Sequence, residues 1–536
     1  TPTLGLGVTI NSSGLVVSGV TTAGIGSFTT LYGDGSNLTG VAGTIGVWDY
    51  NPDVSDSNLA LAGTGIAVTF STKIVAGSGT ATMKIVNAGV AGTTIQSWGV
   101  SSCTYVTQKL TFGSIISSLQ SGQTYQIDIP EGFVKDMGGT EYVGTAWTFA
   151  STNQVNGELF TLGTNTNGVL GQNAPSDNKL SSPVQITGGG DTWVDLGDMT
   201  GIPYCSCAIK SDGTLWVWGE NNDGELGLND IVSRSSPTQI PGTTWGESDL
   251  TKFGNRNKVS MAREASAGIK QDGTLWTWGR NQGGRLGTNQ ETDVIPRVSS
   301  PVQVPGTTWK QVVVQPSTTA AIKTDGTLWT WGSNTDGRLG INQPTSSHRS
   351  SPTQIPGTNW KEVSAEMTDA YYAIKTDGTL WAWGKNDQGA LAQNSAGTAD
   401  QSSPVQIPGT TWATVSGAEH GAIATKTDGT LWAWGNNTLG RLGQSQPTNS
   451  HTSSPVQIPG TSWSTTRGKV TSEEQNASVI KTDGTLWTWG RNEAGELGQN
   501  QSLAGLSGAS SPVQIPGTNW RVINDPYDSL HGIRLT

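Results

Sequence analysis

Short stretches of alternating apolar and polar residues recur along the chain, and turns rich in Gly, Ser and Asn separate them. Alternation with a period of two places successive side chains on opposite faces of a β-strand. No apolar run reaches the ~20 residues that a membrane helix needs, so the pattern predicts an all-β chain without membrane insertion. Five such stretches follow one another at the spacing of a β-sandwich: Ile66–Phe70, Ala81–Val86, Lys109–Phe112, Thr124–Ile129 and Thr145–Phe149.

One phrase, Asp-Gly-Thr-Leu-Trp-x-Trp-Gly, dominates the rest of the chain. The Asp-Gly pair suits a two-residue hairpin turn in which both central residues take φ > 0, and the aromatic residues after it favour a strand. Each copy is therefore predicted to be the centre of a β-hairpin. The copies are Asp212–Gly219, Asp272–Gly279, Asp325–Gly332, Asp377–Gly384, Asp428–Gly435 and Asp483–Gly490, with a looser one at Asn156–Gly163.

Two further signatures recur in step with this phrase, and together they indicate a repeat of fifty to sixty residues. Each unit contains four short predicted strands, and units of this kind stack radially as the blades of a β-propeller. The phrase Ser-Pro-Val/Thr-Gln-Ile/Val begins at Ser182, Ser236, Ser300, Ser351, Ser403, Ser454 and Ser511. A tryptophan that follows Pro-Gly-Thr or a variant lies at Trp193, Trp245, Trp309, Trp360, Trp412, Trp463 and Trp520.

The two ends of the repeat region predict how the ring closes. The last unit stops at His531–Thr536, which aligns with Ala-Ile-Lys-Thr, the segment before the hairpin turn. The missing half, Asn156–Gly163, stands at the start of the region. We therefore expect N-terminal strands to complete the last of seven blades, which leaves no unpaired sheet edge there. The predicted domains are residues 1–46, 47–151 and 152–536.

The charge of the chain narrows the range of partners. A formal net charge of −11 and a pI near 4.9 argue against a phosphate-binding surface, and we expect no nucleic acid partner.

The repeat phrases also resemble a known family. Ala-Ile-Lys-Thr-Asp-Gly-Thr-Leu-Trp-Thr-Trp-Gly and Asn334–Gly340 (Asn-Thr-Asp-Gly-Arg-Leu-Gly) are similar to the propeller repeat of the regulator of chromosome condensation family, in its bacterial form. The resemblance covers roughly seven-tenths of the chain and implies the same propeller fold. The family's best-known activity, nucleotide exchange on a small nuclear GTPase, is not expected here, because its protruding wedge and face residues have no match.

The first 151 residues resemble two other kinds of segment. Val68–Ser71, Gly122–Asp136 and Trp147–Phe149 are similar to a bacterial Ig-like domain of S-layer and other surface proteins, which implies a spacer. Gly33–Val41 resembles segments of bacteriophage tail-fibre and other virion structural proteins. The predicted fold is thus all-β: a seven-bladed β-propeller with an Ig-like β-sandwich and a short N-terminal fibre-like β segment.

The residues that catalysis or metal binding would need are not grouped along the sequence. The repeated aspartates of the Asp-Gly phrases are expected to bond locally within their turns, and on separate blades they cannot form a carboxylate pair. Cys103, Cys205 and Cys207 lack the spacing of a zinc site, and we expect them to be buried thiols. We predict no enzymatic activity, no cofactor and no metal site.

A candidate binding surface follows from the order of the strands. In a four-stranded meander, the Asp-Gly turns share one rim with the Pro-Gly-Thr connections, and both hardly vary. The other rim holds loops that differ between units. The largest departure is an insertion in the second blade, where Trp245 and Lys270 lie 25 residues apart, against 14 for Trp309 and Lys323. The alternative is an insertion that the surface merely tolerates. The predicted binding residues on this variable rim are Lys252, Arg256, Lys258, Arg263, His348, Arg349 and His451.

The function predicted from these features is that of a bacteriophage virion structural protein, a tail fibre or related appendage. Residues 1–46 would attach it to other virion proteins, with a homotrimer as one arrangement, and the propeller would bind a protein or glycan of the host cell surface. The first alternative is a secreted or surface-attached bacterial adhesin. An enzyme that acts on surface glycans ranks third, because clustered acids are missing.

Overall fold

The computed structural model describes residues 8–11, 14–17, 47–51, 67–70, 73–87, 90–106, 109–112, 124–142, 144–150, 157–174, 178–187, 192–200, 203–246, 258–290, 295–343, 345–366, 369–394, 399–446, 450–472, 475–500, 508–526 and 528–535. The chain divides into two compact units, Thr1–Thr152 and Asn153–Thr536. No helix among the described residues has the length and apolar character to cross a membrane.

In the first unit the residues that the structure describes form β-strands and one 3₁₀ turn, Val100–Ser102. Its strands are β1 (Val8–Asn11), β2 (Gly14–Val17), β3 (Val47–Asn51), β4 (Ala67–Phe70), β5 (Ile74–Ala76), β6 (Thr80–Asn87), β7 (Val90–Gly99), β8 (Thr104–Val106), β9 (Lys109–Thr111), β10 (Thr124–Ile129), β11 (Val134–Asp136) and β12 (Thr145–Ala150). The strands β1 and β2 form an antiparallel hairpin. The fibre-like phrase Gly33–Val41 lies outside the described residues.

Three further sheets form among the described residues of this unit, with the orders β3-β4-β9-β8, β12-β10-β6-β7 and β11-β5. Their alternating residues bury one aromatic core, in which Trp98 packs on Phe112 with ring centroids 5.0 Å apart and Phe70 meets Tyr142 edge-on at 5.2 Å. The five strands that alternation predicted correspond to β4, β6, β9, β10 and β12.

The second unit begins with β13 (Gly157–Thr164) and β14 (Lys179–Gln185) and ends with β40 (Trp520–Asn524) and β41 (Ser529–Leu535). The strands of blade 1 are β15 (Trp193–Leu196), β16 (Asp198–Met199), β17 (Cys205–Lys210), β18 (Leu215–Gly219) and β19 (Arg234–Gln239); of blade 2, β20 (Val259–Met261), β21 (Ala265–Ile269), β22 (Leu275–Arg280) and β23 (Arg297–Val304); of blade 3, β24 (Trp309–Val314), β25 (Thr318–Lys323), β26 (Leu328–Gly332) and β27 (Arg349–Gln354).

The remaining strands are, for blade 4, β28 (Trp360–Ala365), β29 (Ala370–Lys375), β30 (Leu380–Gly384) and β31 (Gln401–Ile407); for blade 5, β32 (Trp412–Ala418), β33 (Gly421–Lys426), β34 (Leu431–Gly435) and β35 (Thr452–Ile458); for blade 6, β36 (Val470–Ser472), β37 (Asn476–Ile480), β38 (Leu486–Arg491) and β39 (Gly508–Ile515). Short 3₁₀ turns follow the third strands at Thr166–Gly168, Gln282–Gly284, Thr335–Gly337, Asp387–Gly389 and Thr438–Gly440.

Seven sheets form among the described residues of this unit. In blades 1 to 6 four antiparallel strands pair in chain order. The short strand β16 is counted with blade 1 because it follows β15 along the chain, but it pairs in parallel with β20 as a fifth strand on the sheet of blade 2. Blade 7 has the order β14-β13-β41-β40, so β13 pairs with β41 from Gly157↔Leu535 to Gly163↔Ser529. This is the pairing expected from the truncated last repeat, and it joins the two ends of the ring.

The core of the propeller lies between neighbouring blades. The second tryptophan of each Leu-Trp-x-Trp phrase is fully buried there, and its Nε1–H donates to a carbonyl in the previous blade at 2.7–3.0 Å. A buried indole N–H needs such a partner. Because blades 1 to 6 each make the same bond to the previous blade, the repeated phrase sets the stacking as well as the hairpin.

The hairpin turn differs from the prediction in one respect. The loop has three residues: in blade 1 the Gly213 N–H donates to Lys210 O at 2.9 Å and the Lys210 N–H donates to Thr214 O at 3.0 Å. Only the glycine has a positive φ, 77° at Gly213, and Asp212 does not share it. The expectation of two residues at positive φ is wrong, because a third loop residue lets the aspartate keep an ordinary conformation.

Candidate interaction surfaces

Two rims of the propeller differ in how much their loops vary. The rim with the Asp-Gly turns is called the Asp-Gly rim here, and one backbone bond recurs along it. In each of blades 2 to 7, the N–H of the first tryptophan donates to the carbonyl oxygen of the turn glycine in the preceding blade, at 2.9–3.1 Å. The turns and the Pro-Gly-Thr connections therefore share one rim, as strand order predicted. The opposite rim, called the variable rim, carries the loops between first and second and between third and fourth strands.

A second repeated contact lies just below the Asp-Gly rim. The lysine at the end of each second strand in blades 1 to 6 lies between two tryptophan rings, with its Nζ 4.0–5.0 Å from their centroids. In blade 7 Arg534 lies over Phe160 and Trp520. These cations hold the aromatic rings in place. The tryptophans are therefore committed to internal contacts.

The loops of the variable rim are fixed by one residue type. In all seven blades the asparagine of the Asn-x-x-Gly-x-Leu-Gly phrase accepts the leucine N–H through its Oδ1, at 2.9–3.2 Å. This bond gives the asparagine of the phrase a structural role in the loop. Among the described residues no group of three or more His, Cys, Asp or Glu side chains could hold a metal ion.

His348 and His451 have a structural contact within these loops. Each is exposed, and its Nδ1 accepts the backbone N–H of that same asparagine, at 2.9 Å from Asn334 and 3.0 Å from Asn437. In blade 4 the Asp400 carboxylate takes their place at 3.0 Å. The two histidines therefore lie on the variable rim, as predicted, and each leaves one edge of its ring available to a partner.

Buried arginines attach the loops to one another, and the sequence interpretation missed them. Arg285 pairs with Glu264 at 3.0 Å, Arg338 with Asp369 at 2.6 Å and Arg441 with Glu419 at 3.3 Å. Each pair joins a loop after a third strand to a loop after a first strand. The signal was present in the sequence, since all three occupy the same position of the Asn-x-x-Gly-Arg-Leu-Gly phrase.

The insertion in blade 2 does not lie where the sequence interpretation placed it. The Gly246 N–H donates to Ile269 O at 3.2 Å, and the Ile269 N–H donates to Lys258 O at 2.6 Å. The chain thus leaves and rejoins the inner strand beside Trp245, at the Asp-Gly end. The placement on the variable rim is wrong for Lys258, because counting residues between Trp245 and Lys270 does not show at which end the extra ones leave. Lys252 and Arg256 lie outside the described residues.

The two remaining predicted residues do lie on the variable rim. Arg263 is exposed in the loop between β20 and β21. Burial raises the pKa of the Glu220 carboxyl, and the nearby charge of Arg263 reduces that rise. Arg349 is half-buried at the start of β27, and its Nη1 donates to His348 O at 3.0 Å. Whether these side chains bind a partner stays a prediction.

One side-chain pair has the residue types of a nucleophile and its base. Ser206 Oγ and His531 Nδ1 are 2.7 Å apart, but both residues are 0% exposed, which denies access to a substrate. Burial also lowers the pKa of His531 to about 3, so the imidazole is a weak base for taking a proton from the hydroxyl. Burial raises the pKa of the neighbouring Cys205 and Cys207 thiols. These groups are core residues, as expected for both cysteines.

Comparison with known proteins agrees with this architecture. The sequence model described as Regulator of chromosome condensation (RCC1) repeat matches residues 212–260, 272–322, 325–365, 377–423, 428–471 and 483–523, together just over half of the chain. The model described as Bacterial Ig-like domain matches residues 45–151.

Curated relatives share the repeats at low identity. The ultraviolet-B receptor UVR8 of Arabidopsis thaliana is 24% identical over 349 residues, which are 56% of this chain and 77% of that protein. The E3 ubiquitin-protein ligase HERC2 of Homo sapiens is 26% identical over 332 residues, 60% of this chain but 6% of HERC2. The chain thus spans a small part of HERC2 and most of UVR8.

Solved structures support the fold alone. Prp20p from Saccharomyces cerevisiae superposes with a TM-score of 0.60 at 17% identity, covering 71% of this chain and 92% of that one. Human WBSCR16 gives 0.58 at 18% identity, covering 71% and 99%. The chain is all-β, with a propeller of the type found in those structures and an Ig-like domain before it.

Proposed function

Because the chain belongs to the regulator of chromosome condensation (RCC1) repeat family, we propose that its propeller is a non-enzymatic binding module that contacts its partner through the variable rim. The observation that carries this proposal is the contrast between the rims. The Asp-Gly rim repeats the same bonds from blade to blade, apart from the insertions in blades 2 and 6, whereas the variable rim holds loops of different length and sequence on a rigid support. Binding residues are commonly found on loops that a rigid scaffold positions.

The variable rim has the side chains that a protein interface uses. Ile231 and Val232 are 49% and 60% exposed in the loop after β18, and exposed Arg263 lies on the same rim in the neighbouring blade. An exposed apolar pair with arginine nearby suits the centre of an interface. Prp20p itself binds Gsp1p and histones. For this chain we propose that the partner is a protein or glycan on the surface of a host cell.

We further propose a bacteriophage virion as the location, with the chain as a component of a tail fibre or related appendage. The support is the combination of a propeller, an Ig-like domain of a bacterial type and an N-terminal segment with virion-like phrases. Residues 1–46 would contact other virion proteins, and the Ig-like domain would act as a spacer. A secreted or surface-attached adhesin with the same units is the second candidate.

Immunogold electron microscopy with an antibody against the propeller distinguishes these two locations. Label on purified phage particles supports the virion proposal, and label confined to the bacterial cell surface supports the adhesin. An assay for release of reducing ends from host polysaccharide tests the third possibility, a glycan-active enzyme. Release by the purified chain would overturn the non-enzymatic proposal.

Binding of the labelled chain to intact bacterial cells, measured by flow cytometry, tests the rim. The double variant Ile231→Ser with Val232→Ser and the single variant Arg263→Glu should each reduce binding at least tenfold, with the melting temperature unchanged because these side chains are exposed. The matched control is Val184→Ser with Val456→Ser, since those valines are 37% and 36% exposed on the outer strands of blades 7 and 5. Equal losses from both pairs, or from neither, would contradict the assignment to the variable rim.

A further inference from the structure

Basic residues gather where the inner strands of the propeller begin. In blades 3, 4 and 7 the residue after the first tryptophan is an exposed base, Lys310, Lys361 or Arg521. Each of these bases lies at a β-bulge. The tryptophan before it and the residue after it pair with two consecutive residues of the second strand, so the base itself has no partner in the register. These three side chains therefore lie at the Asp-Gly end of the strands that surround the centre of the ring.

A fourth base comes from the extra residues of blade 6. Trp463 and Lys481 lie 18 residues apart, four more than Trp309 and Lys323, and the added turn ends at Lys469, whose carbonyl accepts the Ile480 N–H at 2.8 Å. Burial and the nearby Arg521 guanidinium both lower the pKa of the Lys469 ammonium. Two like charges from blades 6 and 7 thus lie side by side.

The carboxylates of the Asp-Gly turns share this rim, but in the described part of the chain Asp272, Asp325 and Asp483 each accept the N–H and hydroxyl of the threonine two residues later. No ion pair there includes Lys310, Lys469 or Arg521, and the Lys361 Nζ donates to a neutral acceptor, Ala413 O, at 3.0 Å. The carboxylate of Asp195, on the inner strand of blade 1, accepts the Leu196 N–H at 2.9 Å. Like charges held close together repel each other unless an anion compensates them. A group of four bases is unusual in a chain whose net charge is −11.

The centre of the ring is closed beneath this group. Arg467, from the same added turn of blade 6, reaches Asp198 of blade 1, and its Nη1 donates to Val363 O of blade 4 at 2.7 Å. Its Nη1 also lies 3.3 Å from Glu362 Oε1. The guanidinium spans the channel between these blades, so an anion at the mouth would meet a floor instead of an open pore.

We propose that the mouth of the central channel on the Asp-Gly rim binds a polyvalent oxyanion, of the phosphate or sulfate type, through Lys310, Lys361, Lys469 and Arg521. Four cations on separate blades fit one ligand with several anionic groups better than a single small ion. Arginine supplies a planar pair of donors for such a group, and the lysines act as point charges around it. The source of the oxyanion is either a free phosphorylated molecule or a phosphate- or sulfate-bearing polysaccharide. This site lies on the other rim and does not depend on the proposed function.

Isothermal titration calorimetry on the full chain tests the site with two probes, sodium tripolyphosphate and a sulfated heparin oligosaccharide. We expect binding of at least one probe, weakened by added NaCl because exposed charges are screened. The double variant Lys310→Gln with Arg521→Gln should weaken it at least tenfold. Tighter binding of tripolyphosphate would indicate a free molecule as the source, and tighter binding of the oligosaccharide a polysaccharide.

The matched control removes the same charges from the variable rim, by Lys179→Gln with Arg297→Gln, both exposed. This control should bind both probes as the unaltered chain does. Absence of binding for both probes at millimolar concentration would overturn the proposal, as would equal affinities of the two double variants. Circular dichroism melting of each variant separates loss of the site from loss of the fold.

Discussion

A chain of side-chain hydrogen bonds joins the aspartate, the threonine and the tryptophan of the Asp-Gly-Thr-Leu-Trp phrase. In blade 3, Asp325 Oδ1 accepts the Thr327 N–H and hydroxyl at 2.9 and 2.7 Å, and Thr327 Oγ1 accepts the Trp329 Nε1–H at 2.9 Å. These bonds lower the pKa of Asp325, as they do for the equivalent aspartates of blades 2, 4, 5 and 6. The local role of the aspartate was predictable, because it depends on neighbours in sequence. The position of Lys323 between the rings of Trp309 and Trp329 was not predictable from the sequence, because the three residues come together only when three strands have paired.

Glu225 gives a pH-dependent prediction at the same scale. It occupies the loop position that holds a buried arginine in blades 2, 3 and 5, and it is 1% exposed. Burial, then the charges of Glu220 and Asp223, raise its pKa to about 7. A raised carboxyl pKa means that the folded chain keeps a proton that the unfolded chain has lost. The stability from this proton is therefore fully present below about pH 4.5 and is lost as the pH rises to about 7.

The variant Glu225→Gln should accordingly match the unaltered chain at pH 4.5 and exceed its stability at pH 8, by up to about 3 kcal/mol. Thermal unfolding followed by tryptophan fluorescence at both pH values measures this difference. The exposed Glu493→Gln, with a side chain 58% exposed, is the control for loss of one negative charge. An effect of Glu225→Gln that is the same at both pH values would refute the assignment.

At the scale of elements, strand order was predictable and the position of insertions was not. The order of strands in blades 1 to 6 follows from hairpins whose turns are visible in the sequence. The insertions of blades 2 and 6 both leave the inner strand at its Asp-Gly end, next to Trp245 and Trp463. The number of residues between the first tryptophan and the lysine of a blade gives only the length of the extra segment. Its point of departure depends on which backbone bonds the inner strand keeps.

The strand β13 joins the two ends of the ring, because it pairs with both β14 and β41. Deleting Asn156–Gly171 should expose β41 as an edge and open the ring, lowering the melting temperature by more than 10 degrees and speeding amide exchange in Ser529–Leu535. Leu159→Ala is the control, since it keeps the strand bonds and removes one fully buried side chain, at about 2–5 kcal/mol. Slow exchange in β41 after the deletion would show that β13 does not close the ring.

At the scale of the whole molecule, a belt of side-chain bonds joins the inner strands of neighbouring blades. Gln311 exchanges two bonds with the backbone of Val363, at 2.5 and 3.1 Å, and Ser416 Oγ accepts the Ser472 N–H at 3.2 Å. Asn524 closes the belt by donating to Gly197 O at 3.1 Å. Such contacts join residues about fifty to three hundred positions apart. They have no local signature, and the sequence interpretation did not foresee them.

Arg467 extends this belt across the centre, and its loss should affect the whole propeller. Its side chain is 6% exposed and those of Asp198 and Glu362 are each 8% exposed. Glu362 Oε1 also accepts from Thr414 Oγ1 and the Val415 N–H, at 2.7 and 3.1 Å, so blades 1, 4, 5 and 6 meet at one ion cluster. The variant Arg467→Met would leave two buried carboxylates without their cation, which typically costs about 3–5 kcal/mol.

We therefore expect Arg467→Met to lower the free energy of unfolding by about that amount, and the triple variant with Asp198→Asn and Glu362→Gln to recover part of it, because neutral groups no longer need the guanidinium. Arg491→Met is the matched control, since Arg491 pairs with Asp528 at 3.0 Å on the variable rim with 19% of its side chain exposed. Because this pair is closer to solvent than the central cluster, its loss should cost less. Denaturant unfolding of the three variants decides the point, and equal losses for Arg467→Met and Arg491→Met would show that the central cluster does not hold the blades together.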